Sequence, residues 1–285
     1  MKLLKHRPVL VALLGDLHLN STVALPPGRS WPKDDGGTYL ASKVQLWILD
    51  AWYDYWSIID AKQKQHKAEL VVVLNGDLVD GDHHDTRQII SRMETQWQAM
   101  AAEMLDPVMK RVKPENAFIV RGTEAHSGKR GTWDEGIARD FGIHPARYDR
   151  EGKVAAYSFD RLYLSLSKVR FDVKHHTTRS KVPRGKNGSA IRKASDIMQV
   201  YMNMGEWPPD VVVRSHVHVW EDSGDAHKTR CIFLPCWQAP TAYGYKIADD
   251  LPDIGGAWAL CEDGGYELDK VLYPIKEEAI QWIDI

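Results

Sequence analysis

Residues 9–18 read VLVALLGDLH, an apolar run that ends in a glycine, an aspartate, a leucine and a histidine. A short run of Val, Leu and Ala that stops at a glycine predicts a strand buried on both faces. In open α/β sheets, ligands bind beyond the carboxyl ends of the strands. Asp16 and His18 therefore stand where such a fold places its binding site.

The same arrangement occurs at the end of four further predicted strands. These strands, at 70–74, 117–120, 171–173 and 211–213, run into NGDLVDG (75–81), RGTEAH (121–126), KHH (174–176) and RSHVH (214–218). Each segment contains Asp, Glu or His, the residue types that ligate metals and transfer protons. One such segment alone carries little weight, but five in order after buried strands indicate a single shared site.

The elements between these segments predict an α/β fold. Apolar residues recur every three or four positions over 40–59 and 89–108, which predicts two amphipathic helices between the first three strands. Such alternation of strand and helix predicts a largely parallel sheet. The second half predicts short antiparallel strands at 154–159, 162–166 and 171–173, a helix near 189–204, and further strands at 231–234, 257–261 and 266–273. Two stacked sheets with helices outside accommodate this pattern in one domain over residues 1–285.

Composition excludes several other classes of protein. The chain has 285 residues, 44% apolar and 27% charged, which is typical of a globular protein. A net charge of −2 argues against a strongly basic nucleic-acid scaffold. Three cysteines without a CxxC pair argue against a disulfide framework or a cysteine zinc finger. The apolar run near the N-terminus is too short for a signal peptide or a membrane span. We therefore expect a cytoplasmic protein without membrane contacts.

The five segments together resemble the motifs of the calcineurin-like metallophosphoesterase family. That family has the pattern D-x-H, G-D-x-x-D, G-N-H-[DE], a lone His and G-H-x-H, and the resemblance spans roughly Val9 to His218. It implies a four-layer α-β-β-α sandwich of two mixed sheets, with a two-metal site at the carboxyl ends of the strands. It also implies a two-metal phosphoric ester hydrolase in which a hydroxide that bridges the metals attacks the phosphate ester.

The resemblance further implies the roles of individual residues. Asp16, His18 and His218 would hold one metal, and Asp77 would bridge both metals. His175, His216 and a ligand from the third motif would complete the other metal. Mixed Asp and His ligation suits Mn²⁺, Fe or Zn²⁺ better than Mg²⁺ or Ca²⁺. We expect two divalent metal ions, Mn²⁺ first, with Fe or Zn²⁺ as alternatives.

The third motif departs from the family pattern, because Thr123 stands where the family has Asn. Glu124 is the predicted replacement ligand, since its carboxylate has a longer stem and oxygen ligands commonly hold metal pairs. Thr123 itself is the alternative, as is a site that binds one metal or none. His126 is then the predicted general acid, oriented by Asp80. With Glu124 bound, three carboxylates would face two divalent ions, and the reduced positive charge would favour a singly charged phosphodiester.

Three residues near these motifs are candidates for contacts with the substrate. His176 follows the predicted ligand His175, and strand alternation directs only one of the two toward the metals. His84 lies in a polar loop after the second motif. Arg179 belongs to the stretch TTRSKVPRGKNG (177–188), which contains Lys and Arg but no acid. Such residues bind phosphate, so we expect a phosphate ester, nucleotide or nucleic acid there; a solvated polar loop is the alternative.

These observations predict a metal-dependent phosphoesterase that acts on phosphodiesters in nucleotides or nucleic acid. A phosphomonoesterase is the first alternative. The second is a non-catalytic binding module on a degenerate metallophosphoesterase scaffold, which would hold fewer than two metals per chain.

Overall fold

The computed structural model describes residues 7–82, 88–179, 188–242, 244 and 251–275. The strands are β1 (Val9–Leu14), β2 (Ser30–Pro32), β3 (Thr38–Leu40), β4 (Glu69–Asn75), β5 (Ala117–Val120), β6 (Arg147–Tyr148), β7 (Val154–Ala156), β8 (Leu162–Leu166), β9 (Val169–Val173), β10 (Val211–Arg214), β11 (Glu221–Asp222), β12 (Arg230–Phe233), β13 (Ile254–Glu262) and β14 (Gly265–Tyr273). The α-helices are α1 (Lys43–His66), α2 (Glu94–Met109), α3 (Glu124–Ser127), α4 (Thr132–Asp140) and α5 (Ser189–Asn203).

Two five-stranded sheets form the centre of the fold. The first has the order β14-β13-β1-β4-β5, and the second has the order β11-β12-β10-β9-β8. In the first sheet β1, β4 and β5 are parallel, as the alternating pattern predicts, and the hairpin β13–β14 joins antiparallel to β1. Both sheets are mixed, as expected.

The second sheet combines antiparallel and parallel strands. The antiparallel pairing of β8 with β9 agrees with the prediction, but β9, β10 and β12 are parallel to one another. The reason is α5, which lies between β9 and β10 and provides the long crossover that parallel neighbours require. Because β9 and β10 are parallel, their carboxyl ends lie at the same edge of the sheet.

Alternating side chains along the strands divide the core into layers. In β1, Val11 and Leu13 pack between the two sheets, whereas Leu10 and Leu14 pack against the helices outside the first sheet. Trp52 on α1 is among the largest side chains of this outer layer. On the other side, two alanines of α5 pack against the second sheet. The layers are therefore α-β-β-α, as the resemblance implied.

Several predicted element boundaries differ from the structure for local reasons. The helix predicted from Leu40 begins at Lys43, because Ser42 and Gln45 form a reciprocal capping box. The helix predicted from Ile89 begins at Glu94, since Ile89 instead pairs with Ser21 in an isolated bridge. Within the described part of the chain, no helix is both long enough and apolar enough to cross a membrane.

A buried ionic cluster fixes the two strands that end at the site. The Asp172 carboxylate of β9 is fully buried and accepts hydrogen bonds from Arg161 Nε (2.8 Å) and Arg214 Nη2 (3.2 Å). Arg214, at the end of β10, also donates to the backbone carbonyl of Asp172 at 2.9 Å. Burial raises the pKa of Asp172, but the two guanidinium groups outweigh it and hold that pKa below its ordinary value.

We expect Asp172→Asn to lower the free energy of unfolding by about 3–5 kcal/mol, because it leaves the buried Arg214 charge without its partner. Urea unfolding at pH 7 measures this change. Asp160→Asn is the matched control, since Asp160 pairs with Arg121 but is exposed, and such pairs contribute little. An equal effect of both variants would contradict the assignment.

The cost of Asp172→Asn should also depend on pH. A carboxylate with a lowered pKa in the folded state stabilises the fold above its unfolded-state pKa and loses that contribution as the pH falls. The stability difference between wild type and variant should be constant above about pH 5 and shrink below about pH 4. A difference that grows in acid would contradict this.

Candidate metal centre

The loops after β1, β4, β5, β9 and β10 meet at one edge of the two sheets. Their Asp and His side chains form three overlapping groups whose potential ligand atoms lie within 4.8 Å of one another. The groups are Asp16, His18 and His218; Asp77, His175 and His216; and His18, Asp80 and His126. All five sequence segments therefore contribute to one site, although its first and last members, Asp16 and His218, are more than 200 residues apart.

The first group brings nitrogen and carboxylate atoms into close approach. His218 Nε2 lies 3.2 Å from Asp16 Oδ1 and 3.1 Å from His18 Nε2. His18 Nε2 lies 3.9 Å from the same Asp16 oxygen. Three such atoms facing one point are a suitable ligand set for a divalent transition metal.

The second group lies directly beside the first. His175 Nε2 is 3.1 Å from Asp77 Oδ2 and 3.9 Å from Asp16 Oδ1, so His175 connects the two groups. The His175 and His216 rings are 5.6 Å apart between centroids. His175 Nδ1 faces the backbone oxygen of Asn75 at 2.5 Å. That contact assigns the proton to Nδ1, which leaves Nε2 as the ligand atom.

Five of these residues have a left-handed backbone conformation. The φ angles are 53° for Asp16, 46° for His18, 50° for Asp77, 75° for His216 and 57° for His218. Positive φ is uncommon for residues other than glycine, and such strain concentrates at functional sites. Backbone strain thus accompanies five of the candidate ligand residues.

Glycines allow the loops to approach one another. A Cβ added to Gly122 would lie 2.0 Å from Asp77 Oδ1, and one added to Gly76 would lie 2.6 Å from His175 Nδ1. Gly76 also has φ of 79°, which favours glycine. We conclude that the glycines of the second and third motifs are required by the close packing of the site.

The buried polar atoms of the site fit a bound cation. Asp16, His18, Asp77 and His175 are at most 1% exposed. Among the described residues, Asp16 Oδ1 and His175 Nε2 are buried without a hydrogen-bond partner of suitable geometry. Buried polar atoms are normally paired, and leaving one unpaired costs about 1–3 kcal/mol. A divalent cation between the groups would supply the missing partner for both.

The protonation states of the site also reflect a demand for positive charge. Burial lowers the pKa of His175, but Asp77 and Asp16 outweigh it and raise that pKa to about 10. Burial raises the pKa of Asp77, yet the charge of His175 holds it well below its ordinary value. A proton on His175 thus balances the buried carboxylates, and a metal ion would replace that proton, because histidine ligates metals in its neutral form.

His126 and Asp80 form a separate pair at the rim of the site. His126 Nδ1 lies 2.8 Å from Asp80 Oδ1, and the His126 ring is in edge-to-face contact with His18 at 4.6 Å. Burial lowers the pKa of His126, but the carboxylates of Asp80 and Asp77 outweigh it and leave the pKa above its ordinary value. The His126 side chain is 22% exposed, so the imidazole lies at the rim of the site and not in its buried interior.

Solved structures of similar architecture come from several organisms. A conserved uncharacterised protein from Streptococcus pneumoniae, described as a predicted phosphoesterase, is 11% identical over 94% of this chain and 95% of that chain, with a TM-score of 0.37. Vps29 of Entamoeba histolytica, complexed with Zn²⁺, is 9% identical over 93% and 99%, with a TM-score of 0.38. A dimetal phosphatase from Danio rerio is 10% identical over 92% and 95%, with a TM-score of 0.42. No family model and no curated protein matches this chain.

Scores this low do not decide the assignment. The fold is assigned instead from the layer order, the mixed sheets and the meeting of all five motifs at the strand ends. The fold is that of the calcineurin-like metallophosphoesterases. Their fold is shared by this chain, whereas activity and substrate need separate arguments.

The structure corrects the expectation for Glu124 in this metallophosphoesterase fold. Glu124 is the first residue of α3, and its side chain is exposed and accepts a hydrogen bond from the backbone of Arg130. The short helix turns Glu124 away from the ligand groups. Thr123 takes the inward position: its backbone N–H donates to Asp77 Oδ1 at 2.6 Å, and its hydroxyl lies 3.1 Å from both Asp77 oxygens.

The predicted substrate contacts fall at different places. His176 is exposed, outside the ligand groups, with its ring 4.7 Å from that of His216. His175 rather than His176 faces the carboxylates, as expected from strand alternation. The guanidinium of Arg179 pairs with Glu221 instead of facing the centre. His84 and residues 180–187 of the basic stretch lie outside the described residues.

Two residues that support the site were not singled out from the sequence. Asn75 donates from its amide to Ser215 Oγ at 2.8 Å, which connects the second motif to the fifth. Ser127 donates to Asp77 Oδ1 at 3.2 Å. Asn75 precedes Gly76-Asp77 directly, so its position in the motif was a usable signal, whereas nothing in the sequence distinguishes Ser127.

We expect the protein to bind divalent metal through His175 and Asp77 but not through Glu124. After dialysis against Mn²⁺, His175→Ala should retain less metal per chain than wild type, and Glu124→Gln should retain the same amount. Mn²⁺ at about 100 times its dissociation constant should stabilise wild type by about 2.7 kcal/mol. Elemental analysis and thermal unfolding measure the two quantities.

His144→Ala is the control for removal of a partly buried histidine, because His144 stacks on Phe118 away from the ligand groups. It should bind metal as wild type does. Loss of metal in Glu124→Gln would restore the original expectation for that residue.

Proposed function

We propose that this chain is a metal-dependent phosphoesterase, with phosphodiesters as its preferred substrates. The observation that carries the proposal is the junction of two ligand groups through His175, which lies 3.1 Å from Asp77 and 3.9 Å from Asp16. The candidate proton donor, His126, lies beside His18 of the first ligand group, with 4.6 Å between the ring centroids. Ligands for two metals together with an adjacent acid are the parts that phosphate-ester hydrolysis requires.

The metals would be held by the two groups, with Mn²⁺ as our first choice and Fe or Zn²⁺ as alternatives. Bound there, two divalent ions supply a water acidified to react near neutral pH and positive charge for the phosphoryl oxygens. Asp16, His18 and His218 would hold one ion, and Asp77, His175 and His216 the other.

His126 would protonate the departing oxygen. Its Nδ1 lies 2.8 Å from Asp80 Oδ1, so Nε2 is the ring nitrogen that would donate to the substrate in this proposal. Asp80 keeps the imidazole in one orientation and stabilises its protonated form. When the P–O bond to the leaving group breaks, the proton of His126 forms the new O–H bond, and solvent restores that proton afterwards.

The preference for diesters rests on the charges around the centre. With Glu124 outside, only the carboxylates of Asp16 and Asp77 oppose the charge of two divalent ions, so the argument from three carboxylates no longer applies. The arginines of the two adjacent loops are already paired, Arg179 with Glu221 and Arg214 with Asp172. These two guanidinium groups would therefore add no stabilisation to the second negative charge of a monoester. A singly charged diester requires less positive charge from the protein.

A non-catalytic binding module is the second candidate, and one observation favours it. Asp77 Oδ1 already accepts from Thr123 N, Thr123 Oγ1 and Ser127 Oγ. An oxygen with three donors is a poorer metal ligand than a free one, because those hydrogen bonds compete for its lone pairs. The second metal could then bind more weakly than the first.

Hydrolysis of an aryl phosphodiester and the matching monoester, with Mn²⁺ present, tests the proposal. Wild type should cleave the diester with the higher kcat/KM, and Asp77→Ala should lose cleavage of both esters because it removes a ligand. His144→Ala is the control and should retain activity.

A higher kcat/KM for the monoester would instead indicate a phosphomonoesterase. No hydrolysis together with fewer than two metals per chain would favour the binding module.

A further inference from the structure

The two oxygens of Asp80 have different partners. Oδ1 lies 2.8 Å from His126 Nδ1, and Oδ2 accepts a hydrogen bond from Gln238 Nε2 at 3.3 Å. Gln238 is only 5% exposed, so water competes little for its amide. The carboxylate is therefore held from both sides, with the imidazole on one side and the amide on the other.

Gln238 is itself held by the loop that carries the first motif. The preceding residue, Trp237, donates its backbone N–H to the carbonyl of Asp16 at 2.9 Å, and Ala239 donates to Val23 at 2.8 Å. The Gln238 amide also donates to Ser21 Oγ at 3.3 Å. An amide NH₂ has two hydrogens, and Asp80 and Ser21 use both of them.

A second potential hydrogen-bond donor near Asp80 makes this restraint important. His18 Nδ1 is buried, lacks a hydrogen-bond partner among the described residues, and lies 3.9 Å from Asp80 Oδ1. Rotation of a carboxylate about its last torsion is soft. Without Gln238, the Asp80 carboxylate could turn toward His18 and weaken its contact with His126.

We propose that Gln238 is a positioning residue for the proton donor, acting by holding Asp80 Oδ2 so that Oδ1 faces His126. The inference rests on the proposed function, because it assigns Gln238 a part in protonation of the leaving oxygen. The side-chain amide of Gln238 donates to Asp80 and Ser21, so Asp80 is the residue through which Gln238 would act on the reaction.

The leaving group provides a test that a general structural role would not pass. A nitrophenolate leaves without help from an acid, whereas an alkoxide needs a proton. Gln238→Leu, which keeps the approximate size and removes the donor, should lower kcat for an alkyl phosphodiester by about 10–100-fold, the usual range for loss of an outer-shell partner. It should leave kcat for the aryl diester, and KM for both, within about twofold.

Gln45→Leu is the matched control. Gln45 is also a fully buried glutamine, and its amide donates to the backbone of Ser21 and Ala24 in the same loop, but not to Asp80. It should show no dependence on the leaving group. Gln238→Glu is a second variant of unchanged shape, and we expect the same selective loss because a carboxylate there repels Asp80.

The outcomes separate this inference from the proposed function. Equal losses on aryl and alkyl esters, or a pattern identical to that of Gln45→Leu, would overturn the role of Gln238 and leave the phosphoesterase intact. Metal content measured on each variant distinguishes misfolding from loss of positioning. Failure of wild type to cleave either ester would overturn the proposed function, and the role of Gln238 with it.

Discussion

Burial of two carboxylates at the strand ends is the constraint on which the rest of the structure depends. Asp16 and Asp77 are fully buried, and an ionised carboxylate in such a place is costly unless a positive charge accompanies it. In the protein alone His175 provides that charge, since the two carboxylates raise its pKa to about 10. The other histidines surround the same point with potential ligand atoms. The arrangement thus places buried carboxylates and potential ligand nitrogens around one point, which is the donor set that a divalent cation requires.

The ligand groups contain residues from both sheets, so the two sheets must meet at the site. A small number of hydrogen bonds hold them together there. Asp16 N donates to the carbonyl of Gly76 at 2.9 Å within the first sheet, and Ser215 N donates to the carbonyl of His175 at 2.9 Å within the second. Asn75 connects the sheets through Ser215. These bonds stabilise left-handed turns that would otherwise be unfavourable. Hydrogen bonds within and between the two sheets therefore offset the backbone strain of the ligand loops. The site consequently depends on the packing of both sheets.

The sequence allowed the strand ends to be predicted because each combines two local signals, a buried apolar run and a polar segment directly after it. The direction of β10 was beyond local pattern, since the crossover through α5 determines it. Glu124 was assigned wrongly because residue chemistry alone ignores the short helix α3, which turns that side chain to solvent. Gln238 has no motif around it, and only the tertiary contact with Asp80 identifies it.

Thr123 stands where the resembled motif has Asn, and its contacts are with Asp77. Its backbone and hydroxyl both donate to Asp77, and Ser127 adds a third donor to the same oxygen, Oδ1. Oδ2, which faces His175 at 3.1 Å, is consequently the less occupied oxygen. Hydrogen bonds to a carboxylate stabilise its charged form and lower its basicity, so Asp77 should be a weaker ligand than a carboxylate without them. The two ligand groups are then unequal: among the described residues, Asp16 Oδ1 has no hydrogen-bond partner of suitable geometry, whereas Asp77 accepts from several donors. In the proposed two-metal site, metal affinity should therefore be greater on the Asp16 side. The third motif would act on the other metal position through its hydrogen bonds to Asp77.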